Sequence, residues 1–221
     1  MNQEISIIKY LKENNYEEVV RFFESEMKRD DKNIQIKLKL SLLLLTPNID
    51  DYIGSVEILN EIIKIDPYNP QATLLMGYIE DIYQGEISST CLELINNSIK
   101  NSSISDGYIK YLLLIKSFFY RNTNKNQYFV LLLESLKYAP IFSYNYYLLY
   151  QIYYKQKDFV NALEMISKSI SNISHIFKQS EFVDPTDFDK FIKEKISGTQ
   201  ISLVNYQSML EHKENMIKKM H

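Results

Sequence analysis

The sequence predicts an all-α protein: a right-handed α-solenoid of about five helix-turn-helix repeats, closed by C-terminal capping helices. Two stretches, Ile109–Phe142 and Ser143–Ile176, superpose at a shift of 34 residues, and each reads as helix, tight turn, helix. A fixed period of this length built from paired helices marks a stacked helical array. Apolar residues also fall at helical spacing. Tyr146, Leu149, Tyr150 and Tyr153 line one face, and Phe159, Ala162, Leu163, Ile166, Ile170 and Ile173 line the next. Neither helix can bury its stripe alone, so neighbours must stack, and the small Ala162 lets two backbones approach closely. The chain holds only 5 Gly and 5 Pro, as a nearly all-helical fold requires.

The elements follow in order. The first helix pair spans about Gln3–Glu13 and Tyr16–Arg29, broken at Asn14-Asn15. The second spans Ile34–Leu45 and Asp51–Ile65, broken at Pro47, and Asp66-Pro67 ends it, because a residue before proline is pushed out of the helical region. The third spans Gln71–Tyr83 and Glu86–Lys100, with Gly85 in the turn. The two 34-residue units form the fourth and fifth. A further helix is predicted from Asp184-Pro185-Thr186-Asp187 to Ile196, with Asp184 capping and Pro185 in the first turn, stopping at Gly198. A last helix runs from Ser202 to Lys218, with lysines at its C-terminal end. The expected organisation is a repeat domain over residues 1–176 and capping helices over 177–221.

Composition narrows the function class. Hydrophobic residues make up 45% and charged residues 24%, enough apolar surface for a folded core. A formal net charge of -3, with Arg21, Arg29 and Arg121 the only arginines, argues against nucleic acid and anionic membranes. The single cysteine, Cys91, excludes an internal disulfide, fits a reducing compartment and reads as a small buried apolar residue. Met1-Asn2-Gln3-Glu4-Ile5 has neither the basic nor the apolar part of a secretory leader, and Leu42–Leu45 is too short to span a bilayer. A cytoplasmic location is expected.

Tyr146, Leu149, Tyr153, Asp158-Phe159 and Ala162 resemble the tetratricopeptide repeat (TPR) family, whose helices carry an aromatic, a leucine, a tyrosine, a polar-aromatic turn and a small residue at these places. Met76-Gly77 with Asp66-Pro67, and Asn15-Tyr16-Glu17-Glu18-Val19, resemble other parts of the pattern. The likeness is fullest over 143–173, weaker over 1–142, and ends at Ile176. Tyr150 stands where the family prefers glycine, and Ser135 and Ser169 where it prefers alanine. The resemblance implies a non-enzymatic protein-binding module with no cofactor. Relatives that clamp a terminal carboxylate use paired Lys and Asn on successive first helices. Here Glu4, Ile8, Leu114 and Ser117 occupy those places, so that clamp is not expected.

Catalytic chemistry finds little support. His175, His212 and His221 lack metal-ligand spacing, and Asp184, Asp187 and Asp189 lack the glycine and glutamate of a calcium loop. No phosphate loop, nucleophile elbow or Cys-x-x-Cys is present. No metal site is expected. The candidate partner-binding residues are aromatic and basic: Tyr144, Tyr147, Gln151, Tyr154 and Lys155, off the core stripe of the fifth unit, with Lys110 and Arg121 at equivalent places in the fourth. In the resembled family that side lines a concave groove. Tyrosine offers large contact area and one polar tip, so these side chains suit a binding surface, and they equally suit packing against the C-terminal helices. The expected function is an adaptor or chaperone that binds a protein or peptide. The alternative is a bacterial immunity protein blocking a toxin, and an enzyme of unrecognised type is a distant third.

Overall fold

A computed structural model describes residues 2–101 and 107–220, with side chains from residue 7 onward. Glu4's side chain and His221 lie outside what is described. The helices are α1 (Asn2–Lys12), α2 (Tyr16–Arg29), α3 (Ile34–Leu44), α4 (Tyr52–Ile65), α5 (Pro70–Ile79), α6 (Ser89–Asn101), α7 (Ile109–Tyr120), α8 (Lys125–Tyr138), α9 (Ser143–Lys155), α10 (Phe159–Ser171), α11 (Phe188–Phe191) and α12 (Leu203–Met220). Two short strands, β1 (His175–Phe177) and β2 (Gln200–Ser202), pair in parallel. The fold is the all-α solenoid that the periodicity predicts.

Local chemistry sets the helix starts. Asn33, Asp51, Asn69, Asn124 and Asp158 each accept a hydrogen bond from the backbone N–H three residues on, which satisfies a donor the first turn leaves orphaned. Three of the tight turns share one design. Asn14, Asp50 and Lys157 take positive φ (57°, 52° and 62°), an Asn or Asp follows, and an aromatic residue opens the next helix. The left-handed residue reverses the chain and the one after it sits at the helix N-cap.

The chain forms two compact units. The first comprises α1–α6 together with the segment Phe182–Phe191; the second comprises α7–α10 and the chain from Ile192 onward. In the first, consecutive helices pack against one another, and Leu11, Val19, Phe23, Leu40 and Leu43 anchor a core. α11 lies against α3, with the Phe191 ring edge-on to Tyr78 at 4.9 Å. In the second, α7 packs on α8, α8 on α9, α9 on α10, and α12 closes on α10.

Buried serines and a threonine sit at the helix crossings. Ser55 Oγ donates to Ser41 O across α3 and α4, and the Thr73 and Ser98 hydroxyls lie 2.9 Å apart across α5 and α6. Ser135 Oγ donates to Lys110 O across α7 and α8. Ser143 and Ser169 bond across α9 and α10. Serine serves where a small residue is required, and the hydroxyls of Ser55, Ser98, Ser135, Ser143 and Ser169 each find a partner, whereas the buried Ser41 hydroxyl has none.

The C-terminal segment departs from expectation in two places. Asp184 does not open a helix. Its carboxylate accepts from both Thr186 N and Thr186 Oγ1 in a local turn, a competitor to helix capping. α11 starts at Phe188 instead, capped by Asp187, which accepts from Lys190 N at 3.1 Å. A π-turn over Ile192–Ile196 follows and ends at Gly198, where φ is 65°. The parallel pair β1–β2 was not anticipated. It matches Ile176 with Ile201 and delivers the chain to the start of α12.

Candidate functional site

The side chains of α9 divide by depth. Leu148, Leu149 and Tyr150 are buried; Tyr144, Tyr147, Tyr153 and Tyr154 are half-buried; Gln151 and Lys155 are exposed. α12 accounts for the burial of Tyr150. Its Met209 and Met216 are buried in one cluster with Tyr150, Ala162, Ile166 and Ile201, and Tyr147 and Tyr154 pack against that cluster.

α12 also reaches the phenol tips. The Tyr147 hydroxyl lies 3.3 Å from His212 Nδ1, and the two rings are nearly parallel at 6.0 Å. Lys219 Nζ donates to the Tyr154 hydroxyl and stands 4.6 Å from that ring's centre. Packing against α12 therefore takes up part of the surface of these tyrosines. Burial, and then the neighbouring Tyr147 and Tyr154, hold the Tyr150 hydroxyl above the ordinary tyrosine range.

Between α9 and α12 a hollow of about 360 Å³ remains. Tyr147, Tyr150, Gln151, Tyr154 and Lys155 line one side, and His212, Asn215 and Met216 the other. Four of the seven candidate residues thus meet in one place. The hollow offers hydroxyl, amide, ammonium and imidazole groups beside aromatic faces, a mixture suited to holding peptide groups and side chains.

The other three candidates lie elsewhere. Tyr144 sits against the Gly198 turn, donating its backbone N–H to Ser197 O at 2.9 Å, with its ring edge-on to Phe118 at 6.3 Å. Arg121 places its guanidinium 5.6 Å from the centre of that same Phe118 ring. Lys110 Nζ lies over the rings of Tyr111 and Phe142 at 5.3 and 6.0 Å.

Sequence reasoning missed His212, Asn215, Met216 and Lys219. The signal was present: Met209, His212, Met216 and Lys219 recur at three- and four-residue steps and so share one face of α12. Among the described residues no group of three His, Cys, Asp or Glu could hold a metal, and no helix is long and apolar enough to cross a membrane.

No family model matches the chain, and no curated protein matches it significantly. Solved structures do. It is similar to MamA (TM-score 0.58, 13% identity, 74% of this chain and 92% of that one). It is similar to PilW, a widely conserved type IV pilus biogenesis factor (TM-score 0.61, 15% identity, 76% of this chain and 74% of that one). It is also similar to a MamA RS-1 ArsTM double mutant (TM-score 0.58, 14% identity, 76% and 91%). MamA and PilW are TPR-repeat proteins, and at these identities the likeness establishes the TPR-like helical-repeat fold.

Proposed function

We propose that this protein is a non-enzymatic, cytoplasmic adaptor or chaperone that holds a protein or peptide partner at the hollow between α9 and α12. The observation that carries this reading is the convergence of Tyr147, Gln151, Tyr154 and Lys155 on one open hollow with His212 and Asn215. Aromatic anchors flanked by adaptable polar groups are the composition of protein-binding hot spots. The paired-helix fold supports it, since such arrays present continuous surfaces to partners.

The test is site-specific photocrosslinking in the source cell. A benzophenone amino acid replaces Gln151, which is exposed at the hollow, and in a second strain Val160, which is 67% exposed on α10 and does not line it. A discrete adduct from position 151 and none from position 160 supports the reading. Adducts from position 160 alone, or from neither, overturn it. Gln151→Glu with Lys155→Glu alters two exposed side chains, so the fold persists while affinity for the captured partner falls roughly tenfold. Capture of a toxin in place of a client protein would move the reading to immunity.

A further inference from the structure

A second concavity lies wholly within the first unit and differs in chemistry from the tyrosine hollow. It is an open trough of about 1030 Å³ between α2 and α4, just above the upper range of small-molecule clefts. Leu40 and Leu44 of α3 form its floor, and Val20, Ile49 and Ile58 present half-buried apolar surface above them. Gly54 keeps the α4 wall low. A Cβ there would come within 2.4 Å of the Asp51 carboxylate, which must stay in place to cap the helix through Gly54 N–H.

The rim is acidic. Glu17 and Glu24 project from α2, Glu57 from α4, and Asp51 from the turn between α3 and α4. Arg21 is the one cation lining the trough, and it is engaged by Glu17 at 3.5 Å and Glu18 at 2.6 Å. Glu24 and Glu57 are exposed and form no ion pair among the described residues. Carboxylates on both walls suit a ligand of positive charge.

We infer that this trough docks a basic amphipathic helix of a partner protein. Its apolar face would rest on the half-buried Val20, Ile49 and Ile58, which cover Leu40 and Leu44, and its lysines or arginines would meet Glu24 and Glu57. The facing walls bracket an apolar floor with carboxylates, the complement of a helix with an apolar stripe flanked by positive charge. The site is separate from the tyrosine hollow and stands or falls independently of it.

The experiment selects a phage-displayed library of random peptides, roughly 15 residues long so that helices can form, on the intact chain. Selected peptides are then measured by fluorescence anisotropy. Enriched peptides should carry net positive charge with apolar residues at i, i+3 or i+4, and i+7. Their affinity should fall at least about tenfold on Glu24→Lys/Glu57→Lys, and fall with added salt. It should be unchanged on Glu93→Lys, an exposed reversal outside the trough, and on Gln151→Glu/Lys155→Glu. Circular dichroism checks that each variant is folded; should the double reversal unfold, Glu57→Lys alone is read in its place. Enrichment of neutral or acidic peptides, no enrichment, or equal binding to the reversed trough overturns the inference. Loss of binding on the α9 variant alone would assign the peptides to the tyrosine hollow and overturn it as well.

Discussion

Ser143 and Ser169 each donate a hydroxyl hydrogen to the other's backbone carbonyl, both at 2.8 Å, so α9 and α10 are joined at their crossing by a reciprocal pair. The two hydroxyl oxygens lie 3.1 Å apart, and both residues are fully buried. Each serine gives the close approach of a small residue and adds a bond that alanine lacks. Ser169→Ala should therefore cost about 0.5–1.5 kcal/mol. The double change Ser143→Ala/Ser169→Ala should cost less than twice the single one, because the groups share one network. Urea unfolding of the three variants measures this; strict additivity would show that the two bonds are independent.

Ala162 is fully buried among Tyr150, Ile166, Met209 and Met216. Ala162→Leu should overpack the contact and destabilise the protein by about 1–3 kcal/mol. A thermal melt equal to the parent's would mean that α12 yields freely.

Gly198 combines a left-handed backbone with a close neighbour. A Cβ at this position would stand 3.0 Å from Tyr144 Cβ and 3.1 Å from Tyr144 N. Gly198→Ala should cost about 1–3 kcal/mol from backbone strain alone, and more from the displaced start of α9. The reading is a lowered melting temperature, with a changed environment at Tyr144 in nuclear magnetic resonance spectra. An unaltered protein would refute the tight seat described for this turn.

Lys37 is a buried cation: its side chain is 4% exposed, and it pairs with Glu61, which is 50% exposed. Removing the carboxylate strands the ammonium, whereas removing the ammonium leaves a half-exposed carboxylate for water to solvate. Glu61→Ala should therefore destabilise by about 1–3 kcal/mol, toward the lower value because water reaches this side of the pair. Lys37→Met should cost less than about 1 kcal/mol or be neutral. Chemical denaturation ranks the two, and the reverse order would exclude this account.

Burial, reinforced by the Glu80 carboxylate, pushes the Cys91 thiol well above its usual range. The folded state then holds this proton more tightly than the unfolded chain does. The associated stability is complete below the unfolded-chain value of 9.0 and is lost as pH rises beyond it. Cys91→Ala should lose less stability than the parent between neutral and strongly alkaline pH. Iodoacetamide should label native Cys91 far more slowly than the urea-unfolded chain. Rapid labelling of the native protein would contradict the buried thiol.

Most of the helical framework was legible in the residues. The Asn14-Asn15 turn, the Asp66-Pro67 stop and the Gly85 and Gly198 reversals are local signals carried by local backbone preference. The turn before α10 is marked in the sequence by Asp158-Phe159, since Lys157 has no preference of its own for the positive φ it takes. The three-residue strands were illegible because they are too short to show a two-residue alternation. Asp184 misled because a carboxylate before Pro185 and Thr186 can serve a turn as well as a helix. The tyrosines of α9 were recognised as special, but an amphipathic ring suits a core and an interface alike. Only the placement of His212 and Met216 distinguishes the covered part from the open part, and that placement depends on the distant β1–β2 pairing.

The division of the C-terminal segment has a consequence for how the chain is made. A nascent polypeptide translated as far as Ser171 already contains all five helix pairs, yet neither unit is finished. The first still awaits Phe182–Phe191, and the second awaits everything from Ile192. Domains ordinarily mature one after another as they emerge from the ribosome. Here both wait on residues that follow the fifth helix pair. A premature stop between Ser171 and Phe182 would thus release a molecule with two unclosed bodies, a class of damaged product that cellular quality control can distinguish by its uncovered apolar surface.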